Sequence, residues 1–354
     1  MKIVVACGGT GGHSFPGIAV ADELAKMGHQ VTIWASGRAI ESSVMKRWKG
    51  ELFSTGAKQL STKNVFSIIH SIFRCLKKMR VEKPDALLAM GSYASLPPVI
   101  AAKWYHIPVF LHEANTVPGK AVEFLSRFAA KVAVSFEMTK KCLEGVPTVL
   151  TGLPVREEIT TGKRFDFIPD NAFVVFVTGG SQGAHAVNML MVEALTILKK
   201  ALARRGKVSR PLYVIHQTGQ ADEGAVTAAY AAASIPARVH AFEREMADAF
   251  KSADLVVARA GASTCFELAA CAKASLLIPL PSAMRNHQHF NAQAFANSGA
   301  ADEAFQTKID SRAICRYLLD RYDHPEKISV MSEKMAKMAT PDAAKKVAEM
   351  VIGK

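Results

Sequence analysis

Runs of four to six apolar residues recur along this chain, separated by longer stretches in which apolar positions fall three or four apart. The runs cover residues 2–6, 30–35, 86–90, 108–112, 131–135 and 148–151 in the first half, then 173–178, 212–216, 238–242, 254–258 and 275–279 in the second. They are rich in Val, Ile, Leu and Ala and alternate little with polar residues, which is how strands covered on both faces of a parallel sheet read. Between them, Ile18, Val20, Ala21, Leu24, Ala25 and Met27 predict a helix over 16–28, and similar spacing predicts helices over 64–80, 185–202 and 341–352. This alternation predicts an α/β fold built on doubly wound parallel sheets.

Twice a run passes straight into glycines and then a helix. Ile3-Val4-Val5-Ala6 leads into Cys7-Gly8-Gly9-Thr10-Gly11-Gly12-His13, and Phe173-Val174-Val175-Phe176-Val177-Thr178 leads into Gly179-Gly180-Ser181-Gln182-Gly183-Ala184. Such turns let main-chain N–H groups approach a phosphate or sugar; the plainer reading is a glycine turn kept for packing. Residues 157–170 are polar, contain Gly162 and Pro169 and show no apolar period, which predicts an interdomain linker. The expected organisation is two Rossmann-like domains, 1–160 and 161–340, facing a cleft, with 341–354 forming a last helix that packs back on the first. The length of 354 residues agrees with two domains.

Composition changes this picture in two ways. The six cysteines include no C-x-x-C pair, so reduced thiols are expected rather than a zinc site or disulfide framework. No signal-peptide pattern opens the chain and no run nears 18 apolar residues, so a cytosolic or surface-associated protein is expected. The net charge of +13 is lopsided: residues 1–164 hold 22 Lys and Arg against 12 Asp and Glu. A basic first half calls for an anionic partner, whether nucleic acid, membrane or acidic substrate.

A dinucleotide fingerprint fails at Ser14, where the third glycine belongs, and at 35–38, which lack the acidic residue for a ribose. No Walker motif is present either. His13, at the mouth of the first glycine turn, is placed for proton transfer at neutral pH. In the second half, 260–267 carry small and hydroxyl residues into a helix whose N-terminus suits a diphosphate, with Glu267 one turn on for ribose hydroxyls. A helix cap with a solvated glutamate explains that stretch equally well. Asn286-His287-Gln288 offer amide and imidazole groups suited to a sugar.

These motifs together resemble the MurG family of peptidoglycan glycosyltransferases. The likeness runs from Gly8 to about Ala292 through residues 8–13, 90–95, 112–115, 152–156, 179–184, 216–219, 259–267 and 286–292. It implies a GT-B fold, UDP-N-acetylglucosamine as the sugar source, and inversion with attack by the C4 hydroxyl of a muramyl sugar on an undecaprenyl-linked lipid (lipid I). Thr10, Gly11, Gly12 and Tyr93 would then line the diphosphate and acceptor side, and Asn115, Arg156, Ser181 and Gln182 would contact the UDP-sugar. Phe242 and the backbone of Glu243 would flank uracil. Ala262, Ser263, Thr264, Cys265, Phe266 and Glu267 would hold diphosphate and ribose, and Gln288 the sugar. His13 is the preferred base, Glu113 the second. No cofactor or metal is implied, and no D-x-D motif occurs. Ala114, Leu153, Arg285 and the run Glu243-Arg244-Glu245 depart from the family pattern.

A lipid acceptor requires contact with a membrane. Residues 64–80 place Ile68, Ile69, Ile72 and Phe73 at helical spacing beside Lys77 and Lys78, the profile of a patch on anionic lipid; a core-facing helix with a basic outer side fits as well. The implied location is peripheral, on the cytoplasmic face of the bacterial inner membrane, with cell-wall and division proteins as partners. No motif supports nucleic-acid binding. Two other readings keep the architecture, a UDP-N-acetylglucosamine epimerase or hydrolase and a non-enzymatic nucleotide-sugar module.

Overall fold

The computed structural model describes every residue except 10, 38–44, 46, 60–63, 207 and 208. It divides into two compact units, Met1–Arg156 with Thr340–Lys354, and Glu157–Ala339.

In the first unit, in chain order, lie β1 (Lys2–Ala6), α1 (Gly11–Lys26), β2 (Gln30–Ala35), β3 (Glu51–Ser54), α2 (Val65–Glu82), β4 (Ala86–Ala89), α3 (Leu96–Trp104), β5 (Val109–Glu113), α4 (Lys120–Leu125), β6 (Lys131–Val134), α5 (Glu137–Cys142) and β7 (Thr148–Leu150). The strands form one parallel sheet in the order β3-β2-β1-β4-β5-β6-β7. Alternate residues of β1 serve opposite cores. Ile3 and Val5 pack with Ile18, Ala21 and Leu24 of α1, whereas Val4 and Ala6 pack with Cys75 and Met79 of α2 and Val99 of α3. Burying each such aliphatic side chain contributes about 1.5–3 kcal/mol, so a strand apolar on both sides is stable only between two helical layers.

The second unit holds β8 (Phe173–Thr178), α6 (His185–Arg204), β9 (Leu212–Gln217), α7 (Glu223–Ala232), β10 (Ala237–His240), α8 (Met246–Ser252), β11 (Leu255–Ala258), α9 (Ala262–Ala270), β12 (Ser275–Leu277), α10 (His287–Ala296), β13 (Asp302–Glu303), α11 (Ser311–Asp323) and α12 (Pro325–Lys337). Its sheet is also parallel, in the order β10-β9-β8-β11-β12-β13. Val175 and Val177 meet Val187, Met191 and Leu195 of α6; on the other face Phe176 meets Phe250 of α8 edge to face at 5.5 Å. The last helix, α13 (Ala343–Ile352), belongs to the first unit, where Val347, Ala348 and Val351 join the core beside α1.

In both sheets the strand order reverses beside the first strand, between β1 and β4 and between β8 and β11. Ligand crevices of such sheets open there, beyond the carboxyl ends. Ala6 is in register with Ala89, and Thr178 with Ala258, so the loops that follow each pair start level.

Three expectations need correction. Residues 157–170 are no linker: Ile159 and Ile168 are buried, the Phe165 N–H donates to Ser252 Oγ, and the Arg164 guanidinium donates to the Ser252 carbonyl, so the segment is strapped to the second unit. α1 begins at Gly11, not Pro16, which makes Gly11, Gly12 and His13 its first turn. β3 and β13 were not expected; β3 is a sheet edge with mostly exposed residues, so it lacks the apolar run that marks its neighbours.

Candidate active site

In the first unit, the turn after β1 and the turn after β4 are tied together. Gly9 has φ +100°, and a Cβ there would come within 3.2 Å of Ser92 Oγ. That hydroxyl donates to the Gly8 carbonyl at 2.9 Å and accepts from the Ala94 N–H at 3.2 Å. From the first turn of α1, His13 Nδ1 lies 2.9 Å from the Met90 carbonyl. A carbonyl only accepts, so Nδ1 carries the proton, and in the neutral ring the lone pair sits on Nε2. Tyr93 lies in the same turn, its Cε1 3.4 Å from where a Gly9 Cβ would stand. Gly11 and Gly12 are half-buried there, and Thr10 lies outside the described residues.

Glu113, at the end of β5, is buried with its two oxygens spoken for. Oε1 accepts from the Asn115 N–H at 2.9 Å and from Asn115 Nδ2 at 3.1 Å, and Oε2 accepts from the Gly119 N–H at 2.9 Å. Burial pushes its pKa up and the donors offset only part of this. The neighbouring His112 donates through Nε2 to the Gly152 carbonyl at 3.3 Å, and burial brings its pKa down to about 4. Glu113 therefore organises the turn that presents Asn115. Arg156 lies over the Phe15 ring, 4.6 Å from its centroid.

In the second unit, the turn after β8 exposes Ser181 and Gln182. It is clamped from below: a Cβ on Gly183 (φ +72°) would lie 2.0 Å from the Thr218 carbonyl, and one on Gly219 2.5 Å from the Gln182 carbonyl. Asn188 Nδ2 donates to the Thr218 carbonyl and to Asp222, while Asn188 Oδ1 accepts from His216 Nε2. After β10, Phe242 is 51% exposed and Glu243 is buried. Burial would raise the Glu243 pKa, but two hydrogen bonds from Arg238, at 2.8 and 3.0 Å, and one from the Glu245 N–H hold it down.

After β11, Ala262, Ser263 and Thr264 form the first turn of α9, where N–H groups lack acceptors within the helix. Glu267, 9% exposed, follows one turn later. The side chains of Cys265 and Phe266 point elsewhere, as both are buried and Phe266 packs edge to face on Phe295 at 5.7 Å. Only their main-chain groups remain for a ligand. Arg259 braces this turn by donating to the carbonyls of Ile278 and Pro279, both at 3.1 Å. Gln288, in the first turn of α10, accepts from the Leu280 N–H through Oε1, so its amide NH₂ is left for other acceptors. Arg285 and Asn286 just before it have φ of +52° and +57°, a strained pair for residues with side chains.

The basic helix α2 divides differently from its apolar pattern. The buried stripe is Ser71, Cys75 and Met79; Ile68 and Ile72 are half-buried, whereas Phe66 (88% exposed), Ile69 and Phe73 face outward. Lys77 is exposed, but Lys78 is paired with Glu51 and Glu82, each at 2.7 Å. Of the six residues expected in a patch, Ile69, Phe73 and Lys77 are exposed and Ile68, Ile72 and Lys78 are half-buried, while Phe66 lies exposed on the same helix. Among the described residues no helix is long and apolar enough to cross a membrane. Sequence reasoning also passed over Phe15, Ser92 and Gln217. Gln217 stood inside one of the matched motifs, but its side-chain partners come from two other segments, the turn after β8 and the chain after β10.

Comparison with known proteins adds to this geometry. Residues 3–134 match the glycosyltransferase family 28 N-terminal domain and residues 174–347 match the family 28 C-terminal domain. A protein of Pelobacter propionicus named UDP-N-acetylglucosamine–N-acetylmuramyl-(pentapeptide) pyrophosphoryl-undecaprenol N-acetylglucosamine transferase is 36% identical, covering 99% of each chain. A crystal structure of Acinetobacter baumannii MurG superposes with a TM-score of 0.78 at 29% identity, covering 100% of this chain and 99% of that one. The UDP-GlcNAc 2-epimerase of Neisseria meningitidis, bound to UDP-GlcNAc, reaches 0.72 at 15% identity with complete coverage of both, a likeness of fold alone.

Proposed function

The chain belongs to glycosyltransferase family 28 and, within it, to the N-acetylglucosamine transferases of peptidoglycan synthesis, and on that footing we propose how its residues carry the reaction. It moves N-acetylglucosamine from UDP-N-acetylglucosamine to N-acetylmuramyl-(pentapeptide) pyrophosphoryl-undecaprenol, lipid I, giving lipid II. The full-length identity to named transferases carries this reading.

In the mechanism we infer, His13 Nε2 takes the proton from the C4 hydroxyl as that oxygen attacks the anomeric carbon, and UDP leaves from the opposite face with inversion. The bond from Nδ1 to the Met90 carbonyl sets the tautomer and stabilises the imidazolium that forms. Charge gathering on UDP is met by the main-chain N–H groups of the first turn of α9, at the positive end of the helix dipole, and by the exposed Ser181 and Gln182. On the second unit, Glu267 receives the ribose hydroxyls, Phe242 and the Glu243 backbone flank uracil, and Gln288 meets the sugar. On the first unit, Asn115 and Arg156 meet the UDP-sugar, and Tyr93 and the first turn of α1 lie on the diphosphate and acceptor side. The second candidate, Glu113, already accepts three hydrogen bonds from the turn it holds, which occupies the oxygens a proton would have to reach.

The lipid acceptor is met at a membrane by the first unit, through Phe66, Ile69 and Phe73 with Lys77 beside them. This makes the protein peripheral, on the cytoplasmic leaflet where anionic headgroups attract its basic half. The test is incubation with UDP-N-acetylglucosamine labelled in the sugar, with and without a lipid I analogue. Label moves to the lipid only when the acceptor is present; loss of the sugar nucleotide without acceptor supports an epimerase or hydrolase instead.

A further inference from the structure

The motif His216-Gln217-Thr218-Gly219 at the end of β9 has no part in the chemistry above, yet Gln217 is buried where three loops converge. Its Nε2 donates to the Gly180 carbonyl at 2.9 Å and to Thr178 Oγ1 at 3.1 Å, and its Oε1 accepts from the Glu243 N–H at 3.0 Å. Thr178 Oγ1 in turn accepts from the Gly180 N–H at 3.1 Å. The carboxamide has one orientation, because flipping it would set its NH₂ against the Glu243 N–H and its oxygen against the Gly180 carbonyl. One end of this bridge is the glycine turn bearing Ser181 and Gln182, the other the chain that carries Phe242 and Glu243.

We propose that Gln217 is a positioning residue for the UDP-sugar, holding the diphosphate turn at Gly180 and the base platform at Glu243 in fixed register through a single side chain. This rests on the placement of uracil and diphosphate given above. The distance between base and diphosphate is a property of the nucleotide; a rigid bridge between the two protein segments presets that distance before binding, so less is spent on ordering them. It also commits the Glu243 N–H to Gln217 rather than to a ligand.

The test compares Gln217→Glu and Gln217→Met with the wild-type chain. The glutamate keeps the acceptor for the Glu243 N–H and loses both donated bonds; the methionine keeps the bulk and loses all three. Calorimetry with UDP should show affinity reduced about tenfold or more in both variants, the cost of buried polar groups left unpaired. The UDP-sugar KM should rise in parallel, with kcat changed less. In Gln217→Glu the loss should shrink as pH is lowered from 8 to 6, because a buried carboxyl takes up its proton early and can then donate to the Gly180 carbonyl. No such recovery is expected in Gln217→Met. UDP affinity within twofold of wild type in both variants, or a pH-independent loss that only follows a lowered Tm, overturns the proposal. Absence of transfer by the wild-type chain would strike the functional reading instead, with the UDP affinities still deciding the role of Gln217.

Discussion

His13 and Glu113 are both candidate bases, and their hydrogen bonds separate them. His13 is committed at Nδ1, which sets the lone pair on Nε2, while Glu113 has each oxygen facing N–H groups. Replacing Glu113 by Gln turns an NH₂ toward either the Asn115 or the Gly119 N–H, leaving a buried donor unpaired at about 1–3 kcal/mol. The expected result is a Tm lower by several degrees with transfer per folded molecule reduced modestly. An unchanged Tm with turnover collapsed would give the base role to Glu113. Residue types at the site were legible in the sequence because glycines, His13 and the hydroxyls of the α9 turn are chemically distinctive. The burial of Cys265 and Phe266 was not, since neighbouring residues of one helix share a motif while facing different ways.

At the level of elements, β1, β2 and β8 were readable to the residue because both of their faces are buried. β3 was invisible for the opposite reason, and the strap over 157–170 hid because its buried residues Ile159, Phe165 and Ile168 are too irregularly spaced to form a pattern. In α2 the helix was predictable but its orientation was not: the buried stripe of Ser71, Cys75 and Met79 is less apolar than the exposed side. Two strand ends also fix an acid response. His112 at the end of β5 and His216 at the end of β9 are buried, and burial lowers their pKa values to about 4 and about 3. Below pH 6.5 the unfolded chain binds protons that these folded imidazoles refuse, so stability present above that pH is lost progressively as pH falls toward 4. Thermal melts from pH 7.5 to 4.5 should show Tm falling through this window. In His112→Gln, which retains a donor for the Gly152 carbonyl, the fall should be shallower; an identical slope would contradict this assignment.

Across the whole chain, most of the excess of positive charge lies in residues 1–164, and α2 adds exposed Phe66, Ile69 and Phe73 to it. Changing those three together to Ser should abolish most sedimentation with vesicles containing anionic lipid, while transfer to a short-chain, water-soluble acceptor stays near wild type. Undiminished vesicle binding would remove the patch from that role. The two-fold use of a glycine turn was evident from sequence alone, since the motif is local, whereas its place beside the strand-order reversal came only with the sheet topology. The ties that give those turns their shape, Ser92 to Gly8, His13 to Met90 and Gln217 to Gly180, span 84, 77 and 37 residues and emerge only on folding. The central claim is that His13 accepts the acceptor's proton, and steady-state transfer to a lipid I analogue by His13→Ala tests it most directly. Turnover should fall by about 10² to 10⁴ with UDP affinity within twofold of wild type, whereas turnover close to wild type would contradict the account.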